Sequence, residues 1–559
     1  MPKPRKTKFR LLIILRNAVL AFIGLLLIGF IYLYSVSIVK PPQIADVSVD
    51  KLNRKELSTG FYTIGNNWFR KSNTGLYEMY VEGEPYQRGI VNGLLSKELV
   101  IKQEVAFSDQ INKMIPSKFY LNFLKYFIGW FNRHLAENVN EEYKEEIYGI
   151  SQSASNDFQY IGSNYQRILN YHAAHDIGHA LQSMALVGCT SFGTWNDRSA
   201  DSTMIIGRNF DFYAGDKFAE DKIVEFVNPS KGYKYMSVTW GGFVGVVSGM
   251  NDQGLAVTIN AAKTSIPSGS ATPVSLVARE ILQYAKNIKE AQSIAASRKM
   301  FVSESFMVAS ANDNKAVIIE KTPDTLDVYD PHQNSIVCAN HFQSKGLVTS
   351  AQNVEQVKES ASDYRYKRVV ELLETTEPNT VQRTVDILRN QKGLQNANIG
   401  MGNEKAINQL IAHHSIVFEP QKKIVWVSTS PWQLGEFVAY DLNKVFAIHG
   451  LQSNHEVYES ALTIPADPFL ATDDYKKFLS FRSFKQKIAD KENVDINAFI
   501  KLNPQYYHTF VLAGDYEFNQ HNFAKALGFY KTALTKVIAT KGEEKHIHEQ
   551  IKNCRAKLN

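Results

Sequence analysis

The chain has 559 residues, several times what one hydrophobic core usually organises, so more than one structural unit is expected. Hydrophobic residues make up 44% and charged residues 21%, a globular balance that excludes a disordered, collagen-like or multi-span membrane chain. The formal net charge is +6, but Lys3, Arg5, Lys6, Lys8, Arg10 and Arg16 precede any acid, which leaves the remainder near neutral and without a basic footprint for nucleic acid.

Residues 1–16 form this basic tail, and residues 17–39 follow as NAVLAFIGLLLIGFIYLYSVSIV without a charge. That run is long enough to cross a hydrocarbon layer of roughly 30 Å. Tyr32, Tyr34 and Lys40-Pro41-Pro42 stand where a cleaved signal would carry small residues, so the expectation is an uncleaved signal anchor. The basic residues before the span keep the tail cytoplasmic and export the rest, giving a single-pass protein of the cell membrane with its working part outside the cytoplasm. A cleaved secretory signal is the alternative, and it exports the bulk equally.

Residues 40–188 read as a helix-rich segment. An extended stretch at YEMYVEG leads into GEPYQRG, where Pro85 suits a first helical turn. KFYLNFLKYFIGWFNRHL (118–135) is crowded with aromatics; it reads as a core helix, with a membrane-surface helix or the lining of an acyl pocket as alternatives. After Gly188 the texture changes to short β runs: CTSFGTW, TMIIGRNFDF, KIVEFV, YKYMSVTW, VGVVSGM and LAVTIN, the last two joined by the turn Asn251-Asp252-Gln253-Gly254. Two helical patterns follow, then strands at SFMVASA, AVIIEKT, TLDVYD and SIVCAN, two more helices, and a strand pair at HSIVFEP and KIVWVST. Strands, a helical layer and more strands point to an α+β unit over 189–447 with two sheets flanked by helices. From 448 to 559 the chain reads as helical, and Gly514, Phe523, Ala526, Tyr530 and Ala533 fit the packing positions of one tetratricopeptide (TPR) repeat. One such hairpin cannot bury its own face, so it either stacks on neighbouring helices or forms a plain helical cap, and a partner-binding role for it stays open.

The chemistry concentrates after Gly188. Three cysteines, Cys189, Cys338 and Cys554, are too few for a disulfide scaffold, and the odd count leaves at least one unpaired thiol. A hairpin joining Cys189 to GRNFDF (207–212) brings Cys189, Arg208 and Asp211 to one sheet end. A guanidinium beside a thiol favours the thiolate.

Gly188-Cys189-Thr190-Ser191 followed by Gly207-Arg208-Asn209-Phe210-Asp211 resembles the N-terminal nucleophile (Ntn) hydrolases, specifically the acyl-coenzyme A:6-aminopenicillanate acyltransferase group and its choloylglycine hydrolase relatives. The resemblance spans roughly 75–445 and includes GEPYQRG, GMNDQGL, VCANHF and SDYRYKR in the family's order. It implies a four-layer αββα sandwich, self-cleavage of the Gly188–Cys189 bond, and use of the new α-amine of Cys189 as base. An α-amine with a pKa near 8 can accept a thiol proton near neutral pH, so no histidine partner is required. The resemblance further implies that Asp211 holds the amine, Arg208 tunes the thiolate and Asn260 donates to the oxyanion, with Asn340 and Arg365 completing the site. Asn260 needs a one-residue shift from the choloylglycine hydrolase spacing, and Asn251 reads as a turn residue instead.

His172, His175 and His179 share a helical face, but packing near the cleavage site or lining of the acyl pocket accounts for them better than a metal. Cys338 and Cys554 carry no motif, and no phosphate loop follows a strand. No cofactor or metal is expected. The expected function is that of a membrane-anchored cysteine amidohydrolase or acyltransferase acting on a small-molecule acyl amide through a thioester. The rival is a non-catalytic anchored scaffold with a degenerate hydrolase fold, whose helical tail binds a partner.

Overall fold

The computed structural model describes residues 5–558 except 115–116, 182–187, 213–214, 264, 266, 268 and 375–376. One helix, Arg5–Ser37, carries the apolar run, and its Leu12–Ser37 portion is long and apolar enough to span a membrane. The aromatic segment folds as the helix Lys118–Phe131 and packs on the C-terminal end of that run. Tyr126 meets Phe30 with ring centres 5.5 Å apart, and Gly129 comes so close to Ser37 that a Cβ there would lie 2.4 Å from the serine Cβ. This helix is only partly a core helix: Tyr120, Phe123, Phe127 and Ile128 are exposed.

The strands are β1 (Lys55–Ser58), β2 (Phe61–Ile64), β3 (Asn67–Lys71), β4 (Tyr77–Gly83), β5 (Thr190–Thr194), β6 (Ile205–Phe210), β7 (Ile223–Pro229), β8 (Tyr235–Thr239) and β9 (Ser248–Asn251). They continue with β10 (Leu255–Ala261), β11 (Glu304–Ser310), β12 (Lys315–Lys321), β13 (Leu326–Tyr329), β14 (Ser335–Cys338), β15 (His414–Glu419), β16 (Ile424–Ser428) and β17 (Phe437–Asp441). An 11-stranded sheet has the order β1-β2-β3-β4-β7-β8-β9-β10-β11-β12-β13, and a 6-stranded sheet the order β14-β5-β6-β15-β16-β17. Among the described residues β4 and β7 form the one parallel pair, across which residues 84–222 cross over.

Side-chain alternation along these strands builds the layers. On β6, Ile206 joins Trp68, Phe226, Met236 and Ile416 between the two sheets, while its neighbour Ile205 joins Val369, Val385 and Leu388 of the helices behind the small sheet. The outer face of the large sheet is covered by helices through Val91, Ile147, Ile168, Val277 and Ile281. Helices, sheet, sheet and helices therefore succeed one another, in an α+β fold.

Each of the twelve strands expected after Gly188 is present. Residues 40–188 supply more than the expected helices and the expected extended stretch, which forms β4: β1–β3 precede it, and β1–β4 lie in the same sheet as β7–β13, so no folding boundary falls at residue 188. The helices at Asp473–Ala489, Ile496–Leu502, Tyr507–Asn519, Phe523–Ala533 and Lys541–Leu558 share a core with Leu410 and Leu434. Asn503 exchanges hydrogen bonds with the Met401 main chain at 3.1 and 2.8 Å, and Tyr506 donates to Glu404 at 3.0 Å. The helical region thus docks on the loop before β15.

The GEPYQRG motif has a packing reason. Arg88 donates to Glu146 at 2.8 Å, and a Cβ on Gly89 would lie 2.1 Å from the Glu146 carbonyl oxygen, so the helices Pro85–Leu95 and Glu141–Ser151 touch backbone to backbone. Gly89→Ala must force them apart and is expected to cost about 1–3 kcal/mol, read as a lowered midpoint in denaturant.

Candidate active site

β5 and β6 pair antiparallel with Ser191 opposite Arg208 and Thr190 opposite Asn209. Opposed residues share a face, and that of Ser191 and Arg208 looks at the large sheet, where Ser191 Oγ donates to Asn260 Oδ1 of β10 at 2.8 Å. Cys189, just before β5, brings its Sγ to 3.7 Å from Arg208 Nη2, which also donates to the Ile259 carbonyl. Arg208 Nη1 donates to Ser248 Oγ, itself 2.9 Å from His414 Nε2, and the guanidinium lies over the Phe210 ring at 4.4 Å. The arginine is held by both sheets, which fixes it beside the thiol.

Asp211, at the end of β6, works through main chain and side chain. Its carbonyl accepts the Gly188 N–H at 3.0 Å. Its Oδ2 accepts from Gln409 Nε2 at 3.3 Å, while Oδ1 is buried without a hydrogen-bond partner. Burial pushes the Asp211 carboxyl up to about 7, although Arg365 and Arg208 pull it down. Arg365 Nη2 donates to Asn340 Oδ1 at 2.6 Å and Nη1 to the Glu404 carbonyl at 2.8 Å. Asn340 Nδ2 donates to the Ala261 carbonyl at 2.9 Å, and Asn260 Nδ2 to the Cys338 carbonyl at 3.2 Å. Each carboxamide keeps one N–H beyond that bond.

The geometry thus gathers Cys189, Arg208, Asp211, Asn260, Asn340 and Arg365, all buried, at one end of the two sheets. Arg208 favours the Cys189 thiolate, in the direction expected, but burial outweighs it: burial pushes the thiol up to about 11, the Arg208 cation offsets only part of this, and Asp211 and Glu304 oppose the anion further. With the chain continuous through Gly188 the sulfur carries its proton. His172 is bound to the main chain, with Nδ1 2.8 Å from the Ile168 carbonyl and Nε2 accepting the Val244 N–H at 2.9 Å. The His175 and His179 side chains lie outside the described residues.

Several neighbours escape sequence reasoning. Gln409 Nε2 donates to the Gly188 carbonyl at 2.8 Å. Glu304, opposite Ala261 on β11, is buried with neither oxygen hydrogen-bonded, and burial, with Asp176 adding to it, holds its carboxyl well above the usual range. Ser248 and His414 complete the cradle of Arg208. None of the four sits in a motif; only the strand order brings them together. A cavity of about 730 Å³ opens on Gly188, Asn340, Arg365 and Gln409, and Phe478, Phe481 and Tyr506 of the C-terminal helices wall its far side.

Residues 196–430 match the acyl-coenzyme A:6-aminopenicillanic acid acyl-transferase family, a range that starts just beyond Cys189. An uncharacterized protein of Archaeoglobus fulgidus is 26% identical over 280 residues, covering 45% of this chain and 45% of its own length. Protein dcd1B of Dictyostelium discoideum is 22% identical over 271 residues, covering 45% of this chain and 51% of its own. The chain spans about half the length of the curated relatives it matches. Among solved structures, the Caenorhabditis elegans N-acylethanolamine-hydrolyzing acid amidase ortholog is 19% identical, with 42% of this chain and 93% of that one covered and a TM-score of 0.30. The range that matches this family holds Arg208, Asp211, Asn260, Asn340 and Arg365, and the ordered motifs resemble the same family.

Proposed function

We propose that this chain is a membrane-anchored cysteine Ntn enzyme that cuts its own Gly188–Cys189 bond and then opens linear acyl amides through a thioester on Cys189. The observation that carries the reading is the convergence near one buried sulfur: Arg208 stands at 3.7 Å with Asp211 and Arg365 acting on the same charge, Arg365 holds Asn340, and Asn260 follows the Ile259 carbonyl that Arg208 grips. Cleavage frees an α-amine with an ordinary pKa near 8 beside the thiol. Asp211 Oδ1, buried and unpartnered, suits that amine as its acceptor. The amine takes the thiol proton, Arg208 balances the resulting thiolate, and sulfur attacks the substrate carbonyl. The remaining N–H groups of Asn260 and Asn340 serve the oxyanion, with Arg365 holding Asn340 in place.

The acyl group then passes to water or to an amine. Coenzyme A thioesters belong to the cytoplasm, so an exported site favours hydrolysis. The cavity walled by Phe478 and Phe481 suits an apolar acyl chain. The exposed aromatic face of Lys118–Phe131, clasped to the spanning helix, would rest at the lipid surface and bring the site near lipid-derived amides. The C-terminal region reads as one TPR-like hairpin, its Gly514 against the Tyr530 ring, that caps the catalytic body.

Wild-type protein is expected to release amine from a long-chain N-acyl amide, and Cys189→Ala to release none. Asn260→Ala is expected to lower kcat about a hundredfold. Turnover by Cys189→Ala at the wild-type rate contradicts the proposal.

Asp211 supplies a pH test in the uncut Cys189→Ala chain. Its carboxyl is raised from 3.8 to about 7, so the folded state holds the proton more tightly than the unfolded one. The associated stability is complete below pH 4 and is lost as pH rises through about 7. Adding Asp211→Asn is therefore expected to make no difference of this origin at pH 4 and to stabilise at pH 8, by roughly 4 kcal/mol at most, measured by denaturant unfolding.

A further inference from the structure

We infer that Gln409 is the oxyanion donor of the self-cleavage step, an inference that rests on the cleavage proposed above. Its Nε2 lies 2.8 Å from the Gly188 carbonyl oxygen and 3.3 Å from Asp211 Oδ2. Both neighbours are acceptors, which fixes the nitrogen end of the carboxamide towards the scissile peptide. The Gly188 N–H, which belongs to the preceding peptide, is held by the Asp211 carbonyl at 3.0 Å, so Gly188 is gripped on both sides of its Cα. A Cβ on residue 188 would lie 2.4 Å from Gln409 Nε2, so any larger residue there would have to displace this carboxamide from the carbonyl it holds.

The rest of the loop keeps Gln409 rigid. The Asn408 N–H donates to the Asn390 carbonyl at 2.9 Å and Asn408 Nδ2 to the Arg389 carbonyl at 3.2 Å, while Leu410 is locked in the core of the C-terminal helices. Asn260 and Asn340 direct their Nδ2 bonds at the Cys338 and Ala261 carbonyls rather than at Gly188. Gln409 is thus the side-chain donor on the bond to be cut.

The step balances as follows. Sγ adds to the Gly188 carbonyl carbon, and the carbonyl oxygen takes the negative charge as the bond from Gln409 changes from neutral to charge-assisted and strengthens. The C–N bond then breaks and the thiol proton ends on the Cys189 nitrogen, leaving a thioester between Gly188 and Sγ. Water hydrolyses it to the Gly188 carboxylate and a free thiol beside a free amine.

The test follows conversion of freshly synthesised full-length protein to fragments of about 21 and 42 kDa, in proportion to the 63.2 kDa whole, on denaturing gels. Gln409→Leu removes the donor, and Gln409→Glu keeps its shape while replacing the donor by an acceptor. Both are expected to slow conversion about a hundredfold or more, with a thermal midpoint close to wild type when compared in the Cys189→Ala background. Hydroxylamine, which cleaves thioesters, is expected to rescue neither, because the block precedes thioester formation. Wild-type conversion rates in folded Gln409→Leu or Gln409→Glu, or rescue of both by hydroxylamine, overturn the role of Gln409 alone. A wild-type chain that stays whole overturns the cleavage reading as well.

Discussion

The packing of the Ile206–Arg208–Phe210 face of β6 against β9 and β10 is the constraint on which the site depends. Arg208 reaches across the sandwich to Ser248 and Ile259 of the large sheet while standing 3.7 Å from Cys189 in the small one. A guanidinium whose two terminal nitrogens are both bonded to the large sheet cannot follow the sulfur if it moves, so the two sheets must keep their register for the thiol to keep its cation. The alternation that sends Ile206 inward and Ile205 outward is therefore both the basis of the core and the reason the functional groups meet.

The uncut chain sets burial against charge. Removal of Cys189 from water outweighs the nearby cation and keeps the thiol protonated, while the same burial raises Asp211 and leaves one of its oxygens unpaired. Such a group is costly unless a partner arrives. A positively charged amine formed beside it would supply that partner, and the energy stored in the unsatisfied carboxylate then favours the cut state. Maturation and catalysis are in this view two uses of one electrostatic arrangement. The helical region at the C-terminus belongs to it, because it packs on the loop that carries Gln409 and walls the cavity that opens on Gly188.

Much of this was legible in the residues. The β runs after Gly188 were short, rich in branched and aromatic side chains and punctuated by turns, and the hairpin from Cys189 to Asp211 followed from spacing alone. Strand β4 was legible as the extended run YEMYVEG, whereas β1 was harder to read because it is fully exposed and lacks a buried face, and β17 because it is a short run beside a helix-like segment. Gln409 and Glu304 were illegible for a different reason. Neither belongs to a local pattern, and their proximity to residues 188 and 189 comes from strand order in two sheets, a property of topology rather than sequence spacing. The protonated state of Cys189 was also hidden, since a neighbouring arginine is visible in a motif while the depth of burial that outweighs it is not.

The most direct measurement is the amino-terminal sequence of the larger fragment recovered from the expressed full-length protein. The account predicts Cys-Thr-Ser-Phe, the residues from Cys189 onward, and a chain that remains whole when Cys189 is replaced by alanine. A single intact species from active wild-type protein, or a fragment that begins at any other residue, would contradict it.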